Sequence, residues 1–227
     1  MNKRIWRYLS CIPAALLAAC GGGGGSGGPV ASANAFNVLA GYQNLVASGQ
    51  STNLAVSGTC AGTASLVRGP ANTAATFEGV SGFSATETTV VTLSSCTPAS
   101  STDTTTQYYD ANYAPLGFSI LGGDYGVWAS PPPIPASVHV GDSGMLGTID
   151  EFTDSSKSIS TGREDVSYVI EADTATTAIV NLIFRDYDGS NVLQSTEQDR
   201  YRMSASGALT LISIDLQFAD GTHLNFR

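Results

Sequence analysis

Residues 166–184 read Val-Ser-Tyr-Val-Ile-Glu-Ala-Asp-Thr-Ala-Thr-Thr-Ala-Ile-Val-Asn-Leu-Ile-Phe, and this stretch decides the fold class. Val166, Tyr168 and Ile170 share one side of an extended chain. After the turn residues Asp173-Thr174-Ala175-Thr176, the positions Ala178, Val180, Leu182 and Phe184 share a side as well, with Ile179 and Ile183 opposite. Apolar residues at every second position, many of them β-branched, fit a pleated strand, and an apolar second face on 178–184 predicts burial on both sides. Downstream, residues 191–203 are mostly polar, and 208–218 sets Ile212, Ile214, Leu216 and Phe218 against Ser213, Asp215 and Gln217. Asp188-Gly189, Ser206-Gly207 and Asp220-Gly221 punctuate the series with residues that tolerate the positive φ of hairpin turns. The reading is a meander of five successive antiparallel strands between 165 and 227.

Upstream the same period predicts strands near 52–57, 59–68, 74–79, 84–96, 104–109 and 116–129. After Pro131-Pro132-Pro133-Ile134-Pro135 come two more, 136–140 and 144–153. One segment departs from it. Phe36, Val38, Leu39, Tyr42, Leu45 and Val46 recur at three- and four-residue intervals, which predicts a helix over 34–47 with Asn34 as its cap and Gly49 as its stop. A meander with one apolar face must bury it against a second sheet or by curling. The expected fold is therefore all-β, an antiparallel sandwich or open barrel with one short N-terminal helix, as a single domain over 34–227. The proline run at 130–135 is read as a rigid crossover between two sheets, or as the one candidate internal boundary.

The first nineteen residues have a different character. Lys3, Arg4 and Arg7 precede an apolar run from Ile12 to Ala19, without any acid, and the run is far shorter than the roughly 20 residues a spanning helix needs. That is the layout of a cleaved secretory signal. The tetrapeptide Leu17-Ala18-Ala19-Cys20 resembles the lipobox of bacterial lipoproteins. The resemblance implies cleavage before Cys20, acylation of its sulfur, and attachment to membrane through lipid alone; Gly21 in place of Asp implies the outer membrane of a Gram-negative envelope. Residues 20–33 continue as a tether, since the glycines from Gly21 to Gly28 have no side chains to bury and a high ordering cost.

Losing residues 1–19 removes three of ten basic residues and none of nineteen acids, so the mature chain has seven bases against nineteen acids, a formal charge of −12. Such a surface repels nucleic-acid phosphates, and nucleic acid is excluded as a partner. Fourteen of the acids lie from Asp142 onward, where solvated strand faces are the favoured explanation. Of the four cysteines, Cys11 leaves with the signal and Cys20 is acylated. Cys60 and Cys96 are left to pair in an oxidising compartment. His139 and His223 have no ligand spacing to each other or to the cysteines, so neither a metal nor a cofactor is expected.

No motif carries a complete reaction. Gly141-Asp142-Ser143-Gly144 matches the serine-protease nucleophile tetrapeptide, yet Met145 and Leu146 follow it, and the sole upstream histidine, His139, is four residues away; a hairpin turn is the favoured reading. Asp186 and Asp188, in Asp-Tyr-Asp-Gly-Ser-Asn, alternate as oxygen ligands for a hard cation do, but the turn again explains them better. Tyr108, Tyr109, Tyr113, Phe118, Tyr125 and Trp128 form the densest aromatic region; beside Asp110 or Asp124 they define a glycan-directed module or hydrolase as the second functional expectation. The first is a non-enzymatic, lipid-anchored envelope protein whose domain binds an envelope protein or glycan, or strengthens the envelope. A third is a carrier of hydrophobic cargo, which requires an apolar cavity within the sheet.

Overall fold

A computed structural model describes residues 28–94 and 96–227; the expected signal segment 1–19, the expected acylation site Cys20 and the glycines up to Gly27 lie outside the described residues. Among the described residues, thirteen strands follow a single helix. The helix α1 spans Val38–Ser48, and the first strands are β1 Gln50–Gly58, β2 Ala61–Arg68, β3 Thr73–Phe77 and β4 Val80–Ser94. Next come β5 Ser100–Asp110, β6 Pro115–Ile120, β7 Tyr125–Trp128 and β8 Ser143–Phe152. The chain ends with β9 Ser160–Ala172, β10 Thr177–Asp188, β11 Leu193–Ser204, β12 Leu209–Phe218 and β13 His223–Phe226. The all-β, antiparallel expectation holds, including the five-strand meander from β9 to β13.

The sheet closes rather than staying open. Neighbours run β4-β5-β6-β7-β8-β9-β10-β11-β12-β13-β1-β2, and β2 pairs back onto β4 from Ala61↔Ser94 to Arg68↔Glu87, giving a twelve-stranded barrel. Strand β3 pairs only with the first residues of β4, from Val80 to Ser84, as a hairpin extending past the seam. Closure removes the exposed edges that an open sheet would have to protect. Gly62 sits in the seam because a Cβ there would come within 1.9 Å of the Thr92 carbonyl oxygen. The core fills the interior: Met203, Leu216 and Phe226 are fully buried, each such side chain contributing about 1.5–3 kcal/mol. The outward faces of β1 and β4 are mostly hydrophilic, with Ser51, Asn53 and Ser57 beside Ala55 and Thr86, Thr88 and Thr92 beside Val90.

Three boundaries differ from the sequence reading for definite reasons. The helix starts at Val38 with Asn37 as its cap, whose side-chain oxygen accepts from the Ala40 N–H at 2.9 Å, because Phe36 is held extended by a bridge to Val138. Gly49 does end it, with φ +76 and its N–H on the Leu45 carbonyl. Residues 136–140 form only that bridge, and 116–129 is two strands joined at Leu121–Asp124. A register shift between Arg200 and Tyr201 brings Leu211 rather than Ile212 to the inner face of β12. At the turn after β10 the left-handed residue is Asn191, not Gly189.

The proline run is neither a boundary nor a crossover between sheets, since β7 and β8, which it joins, are adjacent strands of one barrel. It crosses the barrel end that carries the turns 173–176 and 205–208, where α1 also lies. The Leu39 N–H donates to the Pro135 carbonyl and the Ala71 N–H to that of Val46, while Gly41 approaches Gly207 and Met203. The tether expectation also shortens, because Val30 bridges to Asp173 and the Ser32 hydroxyl donates to the Ala175 carbonyl at 2.9 Å.

Candidate functional site

Under α1 and the proline run, the barrel interior holds a partly open cavity of about 150 Å³. Its walls are apolar and come from all sides: Val38 and Leu45 of α1, Ile134 and Pro135 of the proline segment, Phe118, Trp128, Leu146 and Ile149 of β6–β8, and Val180, Leu182 and Phe184 of β10. An apolar cavity of about 150 Å³ admits a benzene-sized molecule. A set of polar side chains meets this wall on one side: Arg68, Glu87, Tyr109, Asp199 and Tyr201, with Tyr42 and Gln107 beside them.

The polar set is assembled by strand alternation. On β4, Ala85, Glu87, Thr89, Val91 and Leu93 face inward, and the seam places Arg68 opposite Glu87, with Nε 3.1 Å from the carboxylate. On β11 the inward residues are Ser195, Glu197, Asp199, Tyr201 and Met203. Although burial opposes its charge, the Arg68 guanidinium is held firmly protonated by Glu87. Burial pushes the Tyr42, Tyr109 and Tyr201 phenols up, so all three keep their protons at neutral pH. Burial, with the charge of Asp199 added, raises Glu197 well above the carboxylate range, while Asp199, also buried and facing Glu87, is pushed up to about 6. The two carboxyls act on each other, which lifts Glu197 and opposes the rise of Asp199.

The sites anticipated from sequence fall elsewhere. The disulfide Cys60–Cys96 forms, with Cα atoms 6.0 Å apart, at the barrel end opposite α1. Ser143 opens β8 as an exposed residue, and Asp142 serves the turn before it by accepting from the His139 N–H at 2.8 Å. Asp186 is buried inside the barrel, whereas Asp188 accepts from the N–H groups of Ser190 and Val192 and from Gln194, so the pair does not converge on one cation. The aromatic region is divided by the barrel wall. Tyr109, Phe118 and Trp128 line the cavity, while Tyr108 and Tyr125 stack outside on Phe77 of the β3–β4 hairpin, with centroids 4.5 and 5.1 Å away. Tyr113 stacks on Phe83 instead, so the six rings make no common platform. Asp110 caps its own turn by accepting from Asn112 and Ala114, and Asp124 is buried.

The interior acids escaped the sequence reading, which assigned the acids after Asp142 to solvated faces; Glu164, Asp186 and Glu197 are instead buried within the barrel. One signal was present. Glu197, Asp199, Tyr201 and Met203 alternate on a single side of β11, so a fully buried methionine marks their face as the inner one. Among the described residues, no group of three or more His, Cys, Asp or Glu side chains is arranged to hold a metal ion. Comparison of the chain with protein-family models, with curated proteins and with solved structures finds no match.

Proposed function

We propose that this chain is a lipid-anchored envelope protein whose barrel binds a small, largely apolar molecule in its interior, without transforming it. The observation that carries this reading is the cavity, because it combines apolar walls with a few convergent polar groups, the usual make-up of a small-molecule site. It favours the carrier expectation over the glycan one, because the six rings are divided by the barrel wall and make no common platform. The volume limits the cargo to a body of about six heavy atoms plus a polar head.

The test is direct. 3-Methylbutan-1-ol titrated into the mature protein is expected to shift the NMR resonances of Leu182, Ile149 and Val180 and to raise the melting temperature. Leu182→Trp, which puts an indole into the space, is expected to abolish both responses while leaving the fold intact, because filling a void offsets much of the cost of overpacking. Unchanged resonances across a millimolar titration of the wild type would refute the reading. Anchoring has its own test: Cys20→Ser is expected to move the protein from the membrane to the aqueous fraction, since the acyl chains contribute about 0.8 kcal/mol per buried CH₂ and no helix among the described residues is long and apolar enough to span. Retention of the serine variant on membranes would reject the anchor.

A further inference from the structure

We infer that the molecule bound in the barrel is a small amine, with its ammonium group on Asp199 and its apolar body against Leu182, Phe184 and Ile149. This rests on the cavity reading above and names the chemistry of its ligand.

Charge and hydrogen-bond capacity select the amine. Among the described residues, Arg68 is the only basic side chain lining the cavity, and Glu87 already matches it at 3.1 Å. Asp199 is left without a countercharge of its own. An ionised carboxylate offers about four acceptor sites, and the hydrogen-bond partner of Asp199 is a single carboxyl, that of Glu197. Its Oδ1 is buried without any N–H or hydroxyl donor. Residue Asp199 is nevertheless not fully buried although it lies on the inner face of β11, and it lines the cavity. A carboxylate in this position is costly unless a donor completes it. The donor must be small, must reach the site through an apolar space and must bring more than one N–H; a primary ammonium on a short hydrocarbon body meets all three conditions.

The opposite polarity fits worse. A carboxylate ligand would have to take Arg68 from Glu87, leaving that acid uncompensated, and would face Asp199 and Glu87 at close range. A neutral alcohol satisfies one acceptor site and leaves the charge. Selectivity of the site therefore runs amine, alcohol, acid.

Three ligands of one shape separate these cases: 3-methylbutylamine, 3-methylbutan-1-ol and 3-methylbutanoate, titrated calorimetrically into the mature protein at pH 7.5. The amine is expected to bind at least about tenfold more tightly than the alcohol, with the acid weakest, since a charge-assisted hydrogen bond is about twice as strong as a neutral one. Asp199→Asn is expected to remove the preference, bringing amine and alcohol within about twofold, while alcohol binding by the variant shows that the cavity persists. If that variant fails to fold, the ranking on the wild type still decides. Equal binding of amine and alcohol, or preference for the acid, overturns the amine assignment and leaves the cavity reading standing; no binding by any of the three overturns both.

Discussion

The double variant Cys60→Ser/Cys96→Ser is expected to lose about 4 kcal/mol of folding stability, the loop-entropy value for a crosslink spanning 36 residues. In a domain of this size that lowers the melting temperature by on the order of 10 °C. The position of the bridge adds a spatial expectation. Cys60 directly precedes β2 and Cys96 follows β4, so the crosslink stands beside the Ala61↔Ser94 rung, the last of the β2–β4 seam that closes the barrel. Without it the seam is expected to fray from that end, with hydrogen exchange accelerating first at Gly62, Leu93 and Ser94. Arg68 and Glu87, the eighth rung of the same seam, should keep their protection and the cavity its lining. A loss below about 1 kcal/mol, measured by urea unfolding, or acceleration that begins at Arg68, would contradict this role.

What the sequence revealed depended on the range of the interaction concerned. Hairpins are local, and Ser206-Gly207 and Asp220-Gly221 announced theirs through glycines that adopt φ of +90 and +87. The disulfide was legible because the sequence reading assigned Cys11 to a signal and Cys20 to acylation, which left Cys60 and Cys96 to pair. Closure was not legible, since the pairing of Val56 with Phe226 joins residues at opposite ends of the chain and leaves no local trace in either. Alternation tells which residues share a face but not which face turns inward when both are polar. On β11, Gln194, Thr196, Gln198, Arg200 and Arg202 alternate with Ser195, Glu197, Asp199 and Tyr201, and the second set became the interior only because the barrel closed around it. The cavity is further removed still. It exists because a helix from one end of the domain and a proline segment from its middle cover the same opening.

Those buried acids also set how stability depends on pH. Asp199 and Glu197 are both raised, through burial first; Glu197 is raised also by Asp199, Glu164 and Glu87, and Asp199 by Glu87, while the Glu197 carboxyl and the charge of Arg68 act the other way on Asp199. A carboxyl that binds its proton more tightly folded than unfolded contributes stability that is whole below the unfolded pKa of about 4 and is lost as pH rises through the folded value. For Asp199 the window runs from about pH 4 to about 6, and for Glu197 it extends higher. Other carboxylates act in the opposite sense. Salt-bridged Asp173, and Glu78 held by Lys157 and Tyr125, are lowered, so their contributions are present above pH 4 and vanish on acidification. Asp199→Asn should therefore leave the acid limb untouched and flatten the limb between pH 5 and 8. The variant is expected to be more stable than the wild type by on the order of 1–3 kcal/mol at pH 8 and close to it at pH 4.5. Adding Glu197→Gln should bring less than its own separate gain, because the two acids act on each other. A wild type whose urea midpoint stays flat from pH 5 to 8, or an asparagine variant destabilised equally at both ends, would show that Asp199 is compensated from within the protein. It would then have no need of a ligand's charge.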